Sequence, residues 1–231
     1  MAADPKTPVE AAEYPPELSR LPPGRHGLPR DFVTHNQRER LIAGLAEAVA
    51  ENGYAGTTIA HITRHAAVSR RTFYEHFDSK DECFIAAYDA VMEQLRERVD
   101  AAFEQEDEWP RAVRAGIAAM LEFLAAEPNL ARLAMVEALA AGPVVVDRYD
   151  AAIRSLVPYF KAGRSGRAAE ILAALSPTTE EALVGGMVSL ISRRVAAGRD
   201  AELGSLLPDL VEFALTPYLG SAAAAKVARE S

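Results

Sequence analysis

Residues 57–82 read TTIAHITRHAAVSRRTFYEHFDSKDE, and this stretch decides the fold. Ile59, Ile62 and Ala66 share one face at helical spacing, and Val68-Ser69 interrupts them before a second short helix from Arg70 to about His76. Ser79-Lys-Asp-Glu82 is a capping box that opens a third helix, with Phe84, Tyr88, Val91, Leu95 and Val99 on its inward face. Ile59, Ile62, Ala66, Val68, Phe73 and Phe77 thus supply a small core, leaving the other face of the second helix free with Arg70, Arg71, Thr72 and His76. A helix of this kind fits the major groove of B-DNA, where arginine can bond guanine O6 and N7 in pairs. Thr57, Thr58, Ser69, Tyr74 and Lys80 place hydroxyl and ammonium donors around that face, the chemistry that positions phosphates.

Upstream of the stretch, Leu41, Ile42, Leu45, Ala48 and Val49 mark a helix from a capping box at Thr34-His-Asn-Gln37 to about Asn52, stopped by Gly53. The first thirty residues carry seven prolines and read as an unpacked arm, 1–33, whose Arg20, Arg25, His26 and Arg30 could follow DNA. Downstream, helices are expected over Trp109 to Glu127, with Pro110 in the first turn, then Asn129 to Ala140 and Val144 to Lys161, the last bent at Pro158. Residues 162–176 read equally as loop or as two turns of helix. Thr178-Thr-Glu-Glu181 is a third capping box heading a helix to about Ala197, and a last helix ends near Pro217. With no alternating β-branched run, the fold is all-α: an N-terminal three-helix helix-turn-helix DNA-binding domain, 34–80, then a C-terminal helical bundle, 81–220, and a tail, 221–231.

Charge supports this division. The net charge of −8 is spread as −3 over residues 1–19, +3 over 20–80 and −8 over 81–231, so the basic part coincides with the reading segment. Uncharged runs stay near a dozen residues, well short of the roughly 18–20 that a membrane span needs, and the start of the chain lacks a signal-like pattern. Cys83 has no second cysteine to pair with, and a cytoplasmic location fits. Other chemistries are poorly supplied. His61 and His65 have metal-ligand spacing without a third ligand or a carboxylate between them, so no metal is expected. Cys83 lies on a core face, and Gly163-Arg-Ser-Gly166 is too sparse for a phosphate loop, so neither an enzyme nor a cofactor is expected.

The segment resembles the N-terminal domain of the TetR family of bacterial repressors, at Thr57-Thr58, Ile59, Val68-Ser69, Phe73, Tyr74, His76-Phe77 and Ser79-Lys80. Ala67 stands where that family usually has a turn glycine, which suggests a turn without positive φ or one tolerating alanine at small cost. Arg71 replaces a frequent small residue, and Cys83 a common leucine.

The resemblance implies an Ω-shaped homodimer on a palindromic operator in double-stranded DNA, released by a small-molecule ligand that displaces the fourth helix and alters the spacing of the reading heads. It places the dimer interface on a helix pair near Thr178 to Ala197 and Ser205 to Leu219, where Gly185-Gly186 and the apolar residues Leu183, Met187, Leu190 and Ile191 are the candidates. The acidic half is larger than dimerisation alone requires, which argues against a purely architectural DNA binder. Trp109, Met120, Phe123, Met135, Tyr149, Tyr159 and Met187 are the candidate ligand-lining residues.

Overall fold

The computed structural model describes residues 30–165 and 175–230. The proposed N-terminal arm, short of residue 30, and most of the undecided stretch after Gly163 lie outside the described residues.

Among the described residues every regular element is helical. These are α1 (Arg30–Gly56), α2 (Ile59–Ala66), α3 (Arg70–His76), α4 (Lys80–Glu104), α5 (Trp109–Ala126), α6 (Pro128–Met135), α7 (Pro143–Ser155), α8 (Val157–Lys161), α9 (Thr179–Ala196), α10 (Leu207–Leu219) and α11 (Ser221–Ala228). Short 3₁₀ segments at Glu137–Ala140, Ala162–Arg164 and Asp200–Leu206 join them. No described helix is long and apolar enough to cross a membrane.

Local chemistry explains most boundaries. Gly53, at φ 67° and ψ 165°, breaks the end of α1, and Thr58, Ser69 and Ser79 cap α2, α3 and α4 by accepting the amides of His61, Thr72 and Glu82. Pro110 occupies the first turn of α5, where a missing N–H costs nothing. The core runs without interruption from Leu41, Leu45, Phe73 and Phe84 in the N-terminal unit to Leu121, Leu133, Ile191 and Leu215 in the bundle. Helix α4 belongs to both parts, packing its first turns on α1 and its later turns on α5 and α7.

Several boundaries differ from the expectations. Helix α1 already runs from Arg30, so Thr34 is an interior residue and caps nothing. The helix expected to Ala140 ends at Met135 and tightens into a 3₁₀ turn, which points Glu137 inward. The bend expected at Pro158 falls at Leu156, where α7 ends and α8 begins, with Pro158 in the first turn of α8. Thr178 precedes α9 without a side-chain cap bond; its hydroxyl meets Ser176 Oγ at 3.0 Å instead. Glu180, beside the Glu181 of that expected capping box, is 1% exposed and accepts Arg164 Nε at 2.6 Å and the Tyr218 hydroxyl at 2.9 Å. The segment read as a tail forms α11, which packs on α10 and α5 and is tied by Arg111 to Glu230 at 3.0 Å.

A candidate DNA-reading surface and a helical-bundle cavity

The reading unit is assembled from the inside. Phe73 and Phe77 are buried on the back of α3, with ring centroids 5.9 Å apart, and Ile62 and Ala66 bury the inner side of α2. Helix α2 lies so close to α1 that a Cβ on Gly44 would stand 2.7 Å from Ala66 N and 2.9 Å from Ile62 O. Only glycine fits between those backbones, a requirement the apolar pattern of α1 does not advertise. The turn from α2 to α3 passes through Ala67 at φ 50° and ψ 46°, so the turn does take the left-handed conformation, with alanine carrying the strain. Arg40 Nη2 of α1 donates to the Ala67 carbonyl at 3.0 Å and ties the turn down.

This scaffold leaves Arg70, Arg71 and Tyr74 on the outer face of α3, with Tyr74 53% exposed. The Arg70 side chain has no ion pair among the described residues, whereas Arg71 Nε meets Glu75 at 3.0 Å one turn on, an exposed pair that exchanges readily for another acceptor. Ser69 and Thr72 stand at the start of the helix with hydroxyls 2.9 Å apart, and Thr58 is exposed at the start of α2. His76 faces Gln37 at 3.3 Å. Burial, against the opposing effect of Glu75 and with help from Arg38, lowers its pKa, so the ring is neutral at neutral pH and can meet a phosphate as an N–H donor.

Two residues of the expected set are turned inward. Thr57 is 3% exposed, and its hydroxyl lies 2.7 Å from Gly53 O and 3.1 Å from Ala48 O, one donor shared between two carbonyls. Its role is therefore to lock the end of α1, and it leaves the set of phosphate donors. Lys80 donates to the Tyr54 carbonyl at 2.9 Å and sits 4.1 Å from the Tyr54 ring centroid, leaving its remaining ammonium protons at the surface.

The candidate ligand residues divide into separate groups. Met120, Tyr159 and Met187 line a narrow apolar cavity of about 30 Å³, together with Val99, Phe103 and Ile117. Trp109 does not line it; its indole N–H donates to the Tyr159 carbonyl at 2.8 Å and its ring meets Tyr218 edge-on at 5.0 Å. Val99, Leu156 and Tyr159 also line an open groove of about 390 Å³ between α4 and α7, bordered by Arg96 and Arg148. The Tyr159 hydroxyl bonds Asp100, holding the ring between cavity and groove. Met135 and Tyr149 instead line a different groove, between α7 and α9. Phe123 is buried under the Arg98 guanidinium and lines none of these spaces.

On the expected dimer face, Leu183, Met187 and Ile191 are buried within their own protomer. The exposed surface there consists of Gly185, Ser189, Leu190 and Phe213, the last two 40% and 45% exposed. The close neighbour of Gly186 is Phe213 of the same chain, 3.3 Å from where a Cβ would stand.

Of the His61 and His65 pair, His65 sits between Glu47 at 2.9 Å and Glu51 at 3.2 Å. No group of three or more potential ligands that could hold a metal occurs among the described residues. Burial raises the Cys83 thiol far above its ordinary value, which leaves it a protonated packing group.

Residues 41–87 match the family model of bacterial regulatory proteins, tetR family. Over 105 residues the chain is 30% identical to the nucleoid occlusion factor SlmA of Vibrio cholerae serotype O1, a match covering 45% of this chain. The chain thus spans about half of that relative, 54% of its length. Among solved structures, the fold superposes on FadR from Bacillus subtilis in complex with stearoyl-CoA, with 20% identity and a TM-score of 0.66 over 79% of this chain and 98% of that one. It also superposes on the fatty acid degradation regulator FadR from Bacillus halodurans, with 15% identity and a TM-score of 0.67 over 79% and 94%. At these identities the likeness is one of fold.

Proposed function

We propose that this chain, whose residues 41–87 match the model of the tetR family of bacterial regulatory proteins, is a dimeric repressor that reads a palindromic operator and leaves it when a small ligand binds. The observation that carries this reading is the outer face of α3, where Arg70, Arg71 and Tyr74 project from a helix whose other side is fixed by Phe73, Phe77 and the Ser69 cap. A short helix so held can enter a major groove without reorganising, and its arginines supply the guanine-reading chemistry. Thr58, Ser69, Thr72, His76 and the outer protons of Lys80 serve as backbone contacts around it. Pairing of two chains through Gly185, Ser189, Leu190 and Phe213 sets two such helices on successive grooves.

The ligand site is the apolar cavity between α4, α5 and α8. At about 30 Å³ it holds little more than a water, so a ligand must widen it, and the wall it shares with the α4–α7 groove is the place to do so. Displacing Tyr159 joins the two spaces and pushes on α4, which carries the reading unit at its other end. A ligand with an apolar tail and a polar head fits this arrangement, and the stearoyl-CoA in the Bacillus subtilis neighbour is a molecule of that kind.

Selection of duplexes from a random pool by the full-length protein tests the reading. Enrichment of an inverted repeat with half-sites about one helical turn apart, roughly 34–36 Å, is expected. A pool that stays random, or binding that ignores sequence, would refute it. Stearate and stearoyl-CoA added to the selected complex then probe the ligand site, with release as the expected result and retention under both counting against an acyl ligand.

A further inference from the structure

The break in α1 has a partner 83 residues away. At Gly53 the backbone leaves the helical region, which turns the Tyr54 N–H out of the α1 ladder. That amide donates to Glu137 Oε2 at 2.8 Å. Glu137 stands in the 3₁₀ turn after α6, is 9% exposed, and offers its other oxygen to Arg132 of α6 at 3.2 Å. A Cβ at Gly53 would lie 3.5 Å from Glu137 Oε2, an ordinary contact, so it is the positive φ and not space that selects glycine beside the carboxylate.

Tyr54 is held by α4 as well. Its carbonyl accepts Lys80 Nζ, its hydroxyl bonds Asp81, and its ring packs edge-on against Phe84 at 5.0 Å. From Tyr54 the path continues into the reading unit. The Thr57 amide meets Gly53 O at 3.1 Å and Tyr54 O at 3.2 Å, and the next residue, Thr58, caps α2. A single residue therefore joins the bundle, the end of α1, the first turn of α4 and the start of the helix-turn-helix.

The geometry points to Glu137 as the positioning residue through which the helical bundle sets the angle of the DNA-reading head, by holding the Tyr54 amide. The inference rests on the DNA-reading function proposed above and adds a contact separate from α4. A charge-assisted hydrogen bond weakens steeply with distance, so a shift of the 137–140 turn by about 1 Å is enough to release Tyr54. Met135, Val136 and Leu139, which flank Glu137, line the groove between α7 and α9, so rearrangement among those helices reaches this bond directly.

The test uses the full chain in four forms: wild type, Glu137→Ala, Glu137→Gln, and Val145→Ala as a nearby core truncation that does not touch Tyr54. Hydrogen exchange over Tyr54–Thr58 and affinity for the selected duplex are read below the melting transition of each. Glu137→Ala is expected to speed exchange in this segment at least tenfold and to weaken duplex binding at least tenfold. Glu137→Gln, whose side-chain carbonyl still accepts the amide, is expected to restore most of both, and Val145→Ala to move neither. Wild-type exchange and affinity in Glu137→Ala would overturn the proposal, as would equal losses in Val145→Ala, which would reduce the effect to general stability. If Glu137→Ala does not fold, Glu137→Asp withdraws the carboxylate by one methylene and should show both effects in smaller measure; wild-type behaviour there overturns the proposal too. Should the wild type select no duplex, the DNA-reading function fails, while the exchange arm still decides whether Glu137 holds Tyr54.

Discussion

Replacing Gly44 by alanine sets two effects of opposite sign against each other. Helix propensity alone favours alanine in mid-helix by about 1 kcal/mol. Packing opposes it, because the new methyl would stand 2.7 Å from Ala66 N, 2.9 Å from Ile62 O and 3.0 Å from Ala66 Cβ. Two of these are backbone atoms of α2, which cannot swing aside as the tip of a side chain can. Helix α2 would have to withdraw by roughly half an ångström or more, and overpacking of this kind costs about 1–3 kcal/mol. Since α2 is pinned by the Thr58 cap at one end and by the Arg40–Ala67 bond at the other, the upper part of that range applies. The net loss is about 1–2 kcal/mol, equivalent to a fall in melting temperature of roughly 2–8 °C for a chain of this size. Because α3 follows α2 after a short turn, operator affinity should fall as well at temperatures where helix content is unchanged. Calorimetry and circular dichroism of Gly44→Ala provide the assay. A melting temperature equal to or above the wild type would mean that propensity wins, and that α1 and α2 are not in the close contact described.

Three further outcomes follow from particular residues. Ala67→Gly should raise the melting temperature by roughly 1–4 °C, because removing about 1–2 kcal/mol of left-handed strain outweighs the extra chain entropy of glycine, about 0.5–1 kcal/mol; thermal unfolding that shows a decrease would contradict the turn geometry. Gly185→Leu should yield monomers in sedimentation, since among the described residues nothing outside its own helix lies within 4 Å of a Cβ there and the larger side chain would intrude on the proposed partner surface; an intact dimer would move the interface elsewhere. Burial alone would raise the Glu180 carboxyl, but Arg164, its own backbone amide and Tyr218 outweigh it and hold the pKa below the ordinary value. A depressed carboxyl contributes stability that is complete above its unfolded value and is lost as pH falls through the folded one, so acid denaturation below about pH 4.5 should lose this limb in Glu180→Gln; identical acid profiles would remove Glu180 from the account.

Sequence made the reading unit legible because its signals are local. Caps at Thr58, Ser69 and Ser79 and the stop at Gly53 are each set by residues within four positions, and the family resemblance rests on the same stretch. Residues whose roles depend on distant partners were hidden. Thr57 looks like a surface donor until the end of α1 folds over its hydroxyl, and Glu180 looks like an ordinary first-turn acid until Arg164 and Tyr218 claim it. Glu137 carried no signal at all, since its partner amide exists only where Gly53 breaks α1. In the bundle, periodicity identified apolar residues but not which space they enclose, and so Met135 and Tyr149 separate from Met120, Tyr159 and Met187. Helix α11 was overlooked because its Ala-rich sequence has a weak apolar face and gains its order from α5 and α10.

The central claim is that α3 reads base edges, and the most direct test compares Arg70→Ala with wild type on the selected operator and on single-base variants of it, across a salt series. Arg70 is exposed and has no ion pair among the described residues, so its loss should spare the fold and report on DNA. Arg70→Ala is expected to cost about 1–3 kcal/mol on the operator and to flatten the preference at one position of each half-site, whereas Lys80→Ala should weaken all sequences alike and reduce the salt slope by about one. Unchanged affinity and unchanged base preference in both Arg70→Ala and Arg71→Ala would show that α3 does not enter the groove.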